Sequence, residues 1–367
     1  MKILYVATIS DTINAFLIPH IEMLVSQGHQ VDVACHVYQE LDDKLKKMGC
    51  AIFDIPFDRS PIKIQNYKAY KILKEVISSQ RYDIVHTHTP VASACVRLAC
   101  RKMENVKVIY TAHGFHFFKG APLINWLTYY PVERWLARYT DVLITINRED
   151  YDRANRLFNA GHISYIPGVG IDIQKYDEIK IDRTEKRREL GVPEDAFLIL
   201  SVGELNKNKN HETVIRAIEK LKDTNVYYAI CGKGPLEKYL KKLSENLGVV
   251  SKVIFLGYRK DMPEIYKCSD LFVFPSFREG LPVSLMEALA SGLPVVCSDI
   301  RGNKDLVVDE SLGYKLKPDD DHGYASIIRT FINDSKKRRV NPNVMNRFSI
   351  ETVLGVLKEI YTGTPKL

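Results

Sequence analysis

Residues 275–294 read PSFREGLPVSLMEALASGLP, and they decide the architecture. Residues 270–274 ahead of them are short, aromatic and β-branched, the composition of a buried parallel strand. Arg278-Glu279-Gly280-Leu281-Pro282 cannot continue that strand: Gly280 frees the backbone, and Pro282 presets φ for a first helical turn. Residues 283–290 then read as helix, closed by Ser291-Gly292, and 293–297 as the next strand. Glu279 therefore falls in the loop at a strand's carboxyl end, and Glu287 a turn inside the helix. Between them lie the free N–H groups of a helix start, which together with the helix dipole suit a phosphate. A carboxylate on either side suits the hydroxyls of a sugar and of a ribose. Two glutamates at this spacing are common by chance, but E-G-L-P between a strand and a helix is far more specific.

The same alternation extends in both directions. Towards the N-terminus, strands are expected at 3–7, 31–35, 51–55, 83–87, 107–111, 142–146 and 162–166, with helices at 15–27 and 64–79. Residues 8–14 read as a polar loop. It holds no glycine and so is no dinucleotide fingerprint; Thr8 and Asn14 do its polar work or cap the helix after it. Pro167-Gly168-Val169-Gly170-Ile171-Asp172 has the punctuation of a linker. Beyond it, strands at 197–202, 226–231 and 253–256 precede the stretch quoted above, and an amphipathic helix at 350–361 ends the chain. These elements define an α/β fold with two Rossmann-like parallel-sheet domains. The first is expected to cover 1–170 with a terminal helix, 348–367, crossing back to it; the second covers 171–347.

The chain has 367 residues, 46% hydrophobic and 26% charged, which fits a globular protein with real cores. Its net charge of +7 is spread among acids, and no basic tail or RNA-binding signature marks a nucleic-acid partner. Seven cysteines without a C-x-x-C pair fit reduced, buried thiols rather than a disulfide framework. The N-terminal apolar run is too short for a signal peptide, and no run matches a membrane span, so a cytoplasmic chain with at most peripheral membrane contact is expected. From Lys44 to Arg81 basic residues outnumber acids, which fits a solvated face or, more sharply, a membrane-facing patch of Lys63, Lys68, Lys71 and Lys74. Phe117, Phe118 and Trp126, near Lys119, Arg134 and Arg138, fit either a lipid interface or helix packing. His86 and His88 alternate on one strand, yet no carboxylate or Cys completes a metal site nearby, and no metal or cofactor is expected. His113 ends another strand, where ligands bind in open α/β sheets.

FREGLPVSLMEALASGLPVV resembles the E-x7-E signature of the family 4 retaining glycosyltransferases, whose fold is GT-B, with two such domains facing a central cleft. The resemblance covers the whole chain and is strongest to bacterial members that build capsule, exopolysaccharide or glycan repeat units on a lipid carrier. It implies transfer of a hexosyl or N-acetylhexosaminyl group from a nucleotide-diphosphate sugar, UDP-linked by expectation, without metal. Lys209 matches the phosphate-binding lysine of the family's G-R-L-x-x-x-K motif, which begins here at Gly203. Glu204 stands where that motif has its arginine, which leaves Arg278, Arg259 or Lys207 to supply the missing charge. By the same resemblance Glu279 holds the sugar hydroxyls, Glu287 the ribose, and His113 the region beside the donor sugar. Gly280, Leu281 and Pro282 form the phosphate loop, and Tyr258 and Arg259 lie near the base. Thr8, Asn14 and His88 fall on the acceptor side, where a lipid-linked glycan at an anionic membrane surface is the expected partner. A nucleotide-sugar 2-epimerase of the same fold and a transferase with a soluble acceptor are the alternatives.

Overall fold

The computed structural model describes residues 1–334 and 339–363. Two compact units emerge, Met1–Val169 joined by the segment from Ile350, and Gly170–Ser349. Residues 364–367 of the expected terminal helix, and 335–338 of the second domain, lie outside the described residues.

The first unit is a seven-stranded sheet built from β1 (Lys2–Ile9), β2 (Gln30–His36), β3 (Ile52–Asp54), β4 (Ile84–His88), β5 (Lys107–Ala112), β6 (Val142–Thr145) and β7 (His162–Tyr165). Its order is β3-β2-β1-β4-β5-β6-β7, and every pair is parallel. The chain fills one side of β1 and then crosses to the other, so the strand order reverses between β1 and β4. The last helix, Ile350–Thr362, belongs to this unit and buries Val353, Leu357, Ile360 and Tyr361. Its Tyr361 hydroxyl donates to Tyr5 at 3.0 Å and lies 2.6 Å from His86 Nδ1.

The second unit is a six-stranded parallel sheet, β8 (Phe197–Val202), β9 (Val226–Cys231), β10 (Val253–Gly257), β11 (Leu271–Phe274), β12 (Val295–Ser298) and β13 (Gly313–Leu316). The order β10-β9-β8-β11-β12-β13 reverses between β8 and β11. Such reversals open a crevice at the carboxyl ends of the two strands, the usual ligand position in open α/β sheets.

Residues 8–14 are not a loop. β1 runs to Ile9, and a helix starts at Ser10, widens to a π-turn over Ile13–Leu17 and continues as Ile18–Ser26. Pro19 has no N–H to give to the ladder, and the widened turn precedes it. Ile13, Leu17, Ile21 and Leu24 are buried, and this apolar stripe outweighs the loop-like polarity of Ser10-Asp11-Thr12.

Candidate functional site

In the second unit, the loops after β8 and β11 meet at the reversal point and are tied together side chain by side chain. Asn208 Nδ2 donates to the Arg278 carbonyl at 2.9 Å, and the Phe277 N–H donates to the Asn208 carbonyl at 2.8 Å. Asn210, at φ 54°, donates to the carbonyls of Pro275 and Pro318. Between them Lys209 Nζ contacts Glu279 Oε1 at 2.7 Å and lies 4.7 Å from the centre of the Phe274 ring. A Cβ on Gly203 would stand 3.0 Å from Lys209 Cδ, so this glycine leaves the channel along which the lysine stem reaches Glu279. A Cβ on Gly232, after β9, would fall 1.9 Å from the Gly203 carbonyl oxygen, which holds that neighbouring loop to glycine as well.

Glu279 is braced from behind. Arg301 Nε donates to its carbonyl at 3.1 Å, and Gly302, at φ 77°, brings its backbone so close that a Cβ would sit 2.2 Å from the Gly280 oxygen. Leu281 and Pro282 are buried. The helix Val283–Ala290 then begins with Pro282 as its cap and with no side chain capping its first N–H groups. Those donors and the dipole make this end a seat for an anion.

One turn on, Glu287 accepts from the Tyr176 hydroxyl at 2.5 Å and from the Tyr266 hydroxyl at 3.0 Å, one on each oxygen. Burial pushes its carboxyl up from the ordinary range, and the two hydroxyls pull it back down. The two tyrosines fix the direction in which the carboxylate's remaining lone pairs point. Tyr258 is exposed. Arg259 is already held by Asp261 at 2.8 Å and Glu189 at 2.5 Å, while Glu204, Lys207 and Arg278 are exposed. Tyr176, Tyr266, Arg301 and Asn208 carried no sequence signal of their own.

In the first unit, the reversal between β1 and β4 opens a cavity of about 450 Å³. Thr8, Arg59, Asn66, Thr89, His116 and Tyr129 give it polar groups, and Ile9, Pro61, Val91, Ala94 and Val132 its apolar walls. Thr89, β-branched and at φ 67°, is held there by its hydroxyl, which lies 2.6 Å from Thr8 Oγ1 and accepts from the Thr8 N–H at 3.0 Å. Backbone strain of this kind concentrates at functional positions. Asn14 instead spends its amide on the Glu40 carbonyl and the Asp42 N–H. His88 is buried with Nδ1 at 3.0 Å from His113 Nε2, while His113 itself is half-buried. His86 bonds Tyr361 and Thr111 on its two nitrogens. Among the described residues no group of three or more His, Cys, Asp or Glu is arranged to hold a metal ion. Of the two readings open for Phe117, lipid interface or helix packing, the structure takes the second: it is fully buried, stacked on Phe115 and packed against Trp126, Tyr130 and Phe158.

Burial lowers His20 and His113 to about 4 and drives His86 and His88 well below 6.5. The folded state thus refuses protons that the unfolded chain accepts. Stability from these groups is complete above their unfolded pKa and is lost as the pH falls from about 6.5 towards about 4, at up to about 1.4 kcal/mol per pH unit for each. Urea unfolding followed by circular dichroism is expected to give a clearly lower midpoint near about pH 5 than near about pH 7. Equal midpoints would mean that the folded histidines do take up protons in that range.

The fold is GT-B, two Rossmann-like parallel-sheet domains: a structure of Anabaena Alr3699/HepE in complex with UDP and glucose aligns with TM-score 0.83 at 19% identity, covering 99% of this chain and 100% of that one. The description "Glycosyltransferase Family 4" matches residues 19–175 and "Glycosyl transferases group 1" residues 182–343. EpsD of Bacillus subtilis (strain 168), which carries a glycosyltransferase name, is 39% identical over 330 residues, 88% of this chain and 85% of its own. An Escherichia coli UDP-Gal:alpha-D-GlcNAc-diphosphoundecaprenol alpha-1,3-galactosyltransferase is 28% identical over 351 residues, 93% and 90% of the two chains. The chain belongs to glycosyltransferase family 4 and is a glycosyltransferase.

Proposed function

We propose that the protein transfers a hexose or N-acetylhexosamine, with retention, from a UDP-linked donor to a lipid-diphosphate-linked glycan, as a step of surface-polysaccharide biosynthesis such as exopolysaccharide or capsule assembly. The second unit is the donor domain and the first the acceptor domain. The observation that carries this reading is the Lys209–Glu279 pair beside the uncapped start of the helix Val283–Ala290. Without donor, each charge balances the other. With donor, the diphosphate takes the Lys209 ammonium and the helix N–H groups, which frees Glu279 to accept from sugar hydroxyls. Glu287, aimed by Tyr176 and Tyr266, takes the ribose. As the anomeric C–O bond stretches, charge accumulates on the leaving diphosphate, and a preorganised cation and N–H array stabilises it there. The departing phosphate oxygen then takes the acceptor's proton in a front-face attack, so no separate base is required. His113, neutral at working pH, serves as a hydrogen-bonding group near the sugar.

Glu204 leaves the second phosphate cation to be found elsewhere. Arg259 is occupied by its two carboxylates, and Arg278, exposed and without an ion pair among the described residues, is assigned that role. The acceptor half of the reading draws support from the E. coli relative, whose name specifies a sugar on diphosphoundecaprenol. No helix among the described residues is long and apolar enough to cross a membrane. In this reading the protein meets such an acceptor by peripheral docking at the cytoplasmic face of the membrane. No nucleic-acid partner is involved.

The test is a panel of nucleotide sugars with and without a polyprenyl-diphosphate-linked sugar. Acceptor-dependent nucleotide release, undiminished in EDTA, is the expected result, because Lys209 and backbone dipoles do the neutralising. Acceptor-independent change at the donor sugar's C2 would instead make the protein a 2-epimerase, and strict dependence on a divalent ion would overturn the phosphate grip.

A further inference from the structure

The helix Leu123–Leu136 turns an apolar face to solvent. Leu123 is 79% exposed, Leu127 74%, and Ile124, Val132 and Trp135 are exposed with them. Positions 123, 124, 127, 131, 132 and 135 follow helical spacing, so they share one side, while Glu133 and Leu136 are buried on the other. A contiguous outward stripe of this kind marks an interaction surface.

Beside it lies a second cavity, of about 650 Å³, walled by Arg134, Trp135 and Arg138 with Arg156 and Phe158 across from them. Arg134 and Arg138 make no hydrogen bond or ion pair among the described residues, and the Arg156 Nε donates only to a backbone carbonyl, that of Asp152, at 3.1 Å. Of the nearby acids, Glu133 is engaged with Arg97 at 2.9 Å and Glu149 with Arg153 at 2.9 Å, while the exposed Asp152, one turn before Arg156, gives that arginine its carbonyl. Three guanidinium groups without an ion pair among the described residues, next to an indole and an apolar stripe, match the edge of an anionic bilayer, where phosphates and acyl chains lie side by side.

The same helix lines the other side as well. Tyr129, Val132 and Glu133 form one wall of the cavity at the β1/β4 reversal, and Arg59 and Pro61 form another. Pro61 stands beside Ile62, Lys63 and Ile64, which are fully outward and again apolar and basic. The mouth of that cavity is thus flanked by two apolar patches with cations among them.

We propose that the outward face of the helix Leu123–Leu136 inserts into the interfacial layer of an anionic membrane, and that Arg134, Arg138 and Arg156 take the phosphate of a lipid headgroup. Docked in this way, the β1/β4 cavity opens towards the bilayer from which a lipid-linked acceptor arrives. The inference rests on the proposed function for its acceptor, yet its surface is separable from the chemistry.

Vesicle co-sedimentation with phosphatidylcholine, with and without phosphatidylglycerol, tests it alongside transfer to a short-chain, water-soluble polyprenyl-diphosphate acceptor. Wild type is expected to pellet with the anionic vesicles. Arg134→Gln/Arg138→Gln lowers that partition roughly thirtyfold, at about 1 kcal/mol per cation, and rising salt erodes the same contribution. Leu123→Gln/Leu127→Gln lowers it about tenfold or more, with little dependence on salt, because apolar area is lost without any change of charge. All these positions are exposed, so both variants keep wild-type melting and wild-type turnover on the soluble acceptor. Equal pelleting of variants and wild type overturns the surface. So does a soluble dimer that Leu127→Glu dissociates, and so does binding of glycerol 3-phosphate without binding of vesicles. Vesicle binding as expected, but no transfer to any acceptor by wild type, leaves the docking face standing and removes the functional reading instead.

Discussion

Lys209→Ala is expected to lower kcat/KM by about two to three decades, the loss that follows from removing one charge-assisted contact of about 2–4 kcal/mol in the transition state. The lysine contacts Glu279 in the loop that leads into the helix Val283–Ala290, and in the proposed function the diphosphate takes it from that carboxylate. Lys209→Met retains the stem that passes Gly203 and Phe274, and it should lose nearly as much activity. Charge, rather than packing, would then be responsible. Glu279→Gln separates the two roles: UDP affinity, measured by calorimetry, should hold or rise because Lys209 is released, while kcat with the sugar donor falls. Turnover by Lys209→Ala close to wild type would sink the assignment. So would Glu279→Gln weakening UDP as much as the lysine variants do.

The second unit was legible because its signals are local. E-G-L-P and S-G punctuate the helix Val283–Ala290 at both ends, and the structure agrees with those bounds residue for residue. β8 and β9 agree in the same way, since their apolar runs are flanked by glycine. What escaped is what joins distant segments. Tyr176 reaches Glu287 across 111 positions, and Arg301 supports Glu279 from the loop after β12. No periodicity encodes such contacts. β13 is four residues long with lysines in and beside it, too short and mixed to stand out. In the helix Leu123–Leu136 apolar residues occupy both faces, so composition alone could not tell which aromatics face inward. The structure turns Phe117 in and Leu123 and Leu127 out.

Arg97→Ala is expected to cost the first unit about 3–5 kcal/mol, the usual penalty for stranding one member of a buried ion pair. Arg97 is 1% exposed, in the helix Pro90–Cys100. Its Nη1 donates to Glu133 Oε2 at 2.9 Å, its Nε to the Ser93 carbonyl at 3.2 Å, and its guanidinium lies 4.4 Å from the Tyr110 ring centre. Removing it leaves the Glu133 carboxylate buried without a counter-ion. In calorimetry the melting step of this unit should drop by roughly 10 °C, at about 2–4 °C per kcal/mol for a unit of this size. The pair joins the helix Pro90–Cys100 to the helix Leu123–Leu136, and both line the β1/β4 cavity. Kinetics well below the melting step should therefore show a raised KM for the acceptor while UDP affinity, set by residues of the second unit, stays constant. Arg97→Met/Glu133→Leu removes both charges at similar volume and should recover most of the lost stability, because desolvation of the pair is relieved along with its attraction. If the single variant melts within a degree or two of wild type, the carboxylate has found water or a proton, and the pair is not what holds this wall. If the double variant is as unstable as the single one, the loss lies in packing against Tyr110 rather than in the stranded charge.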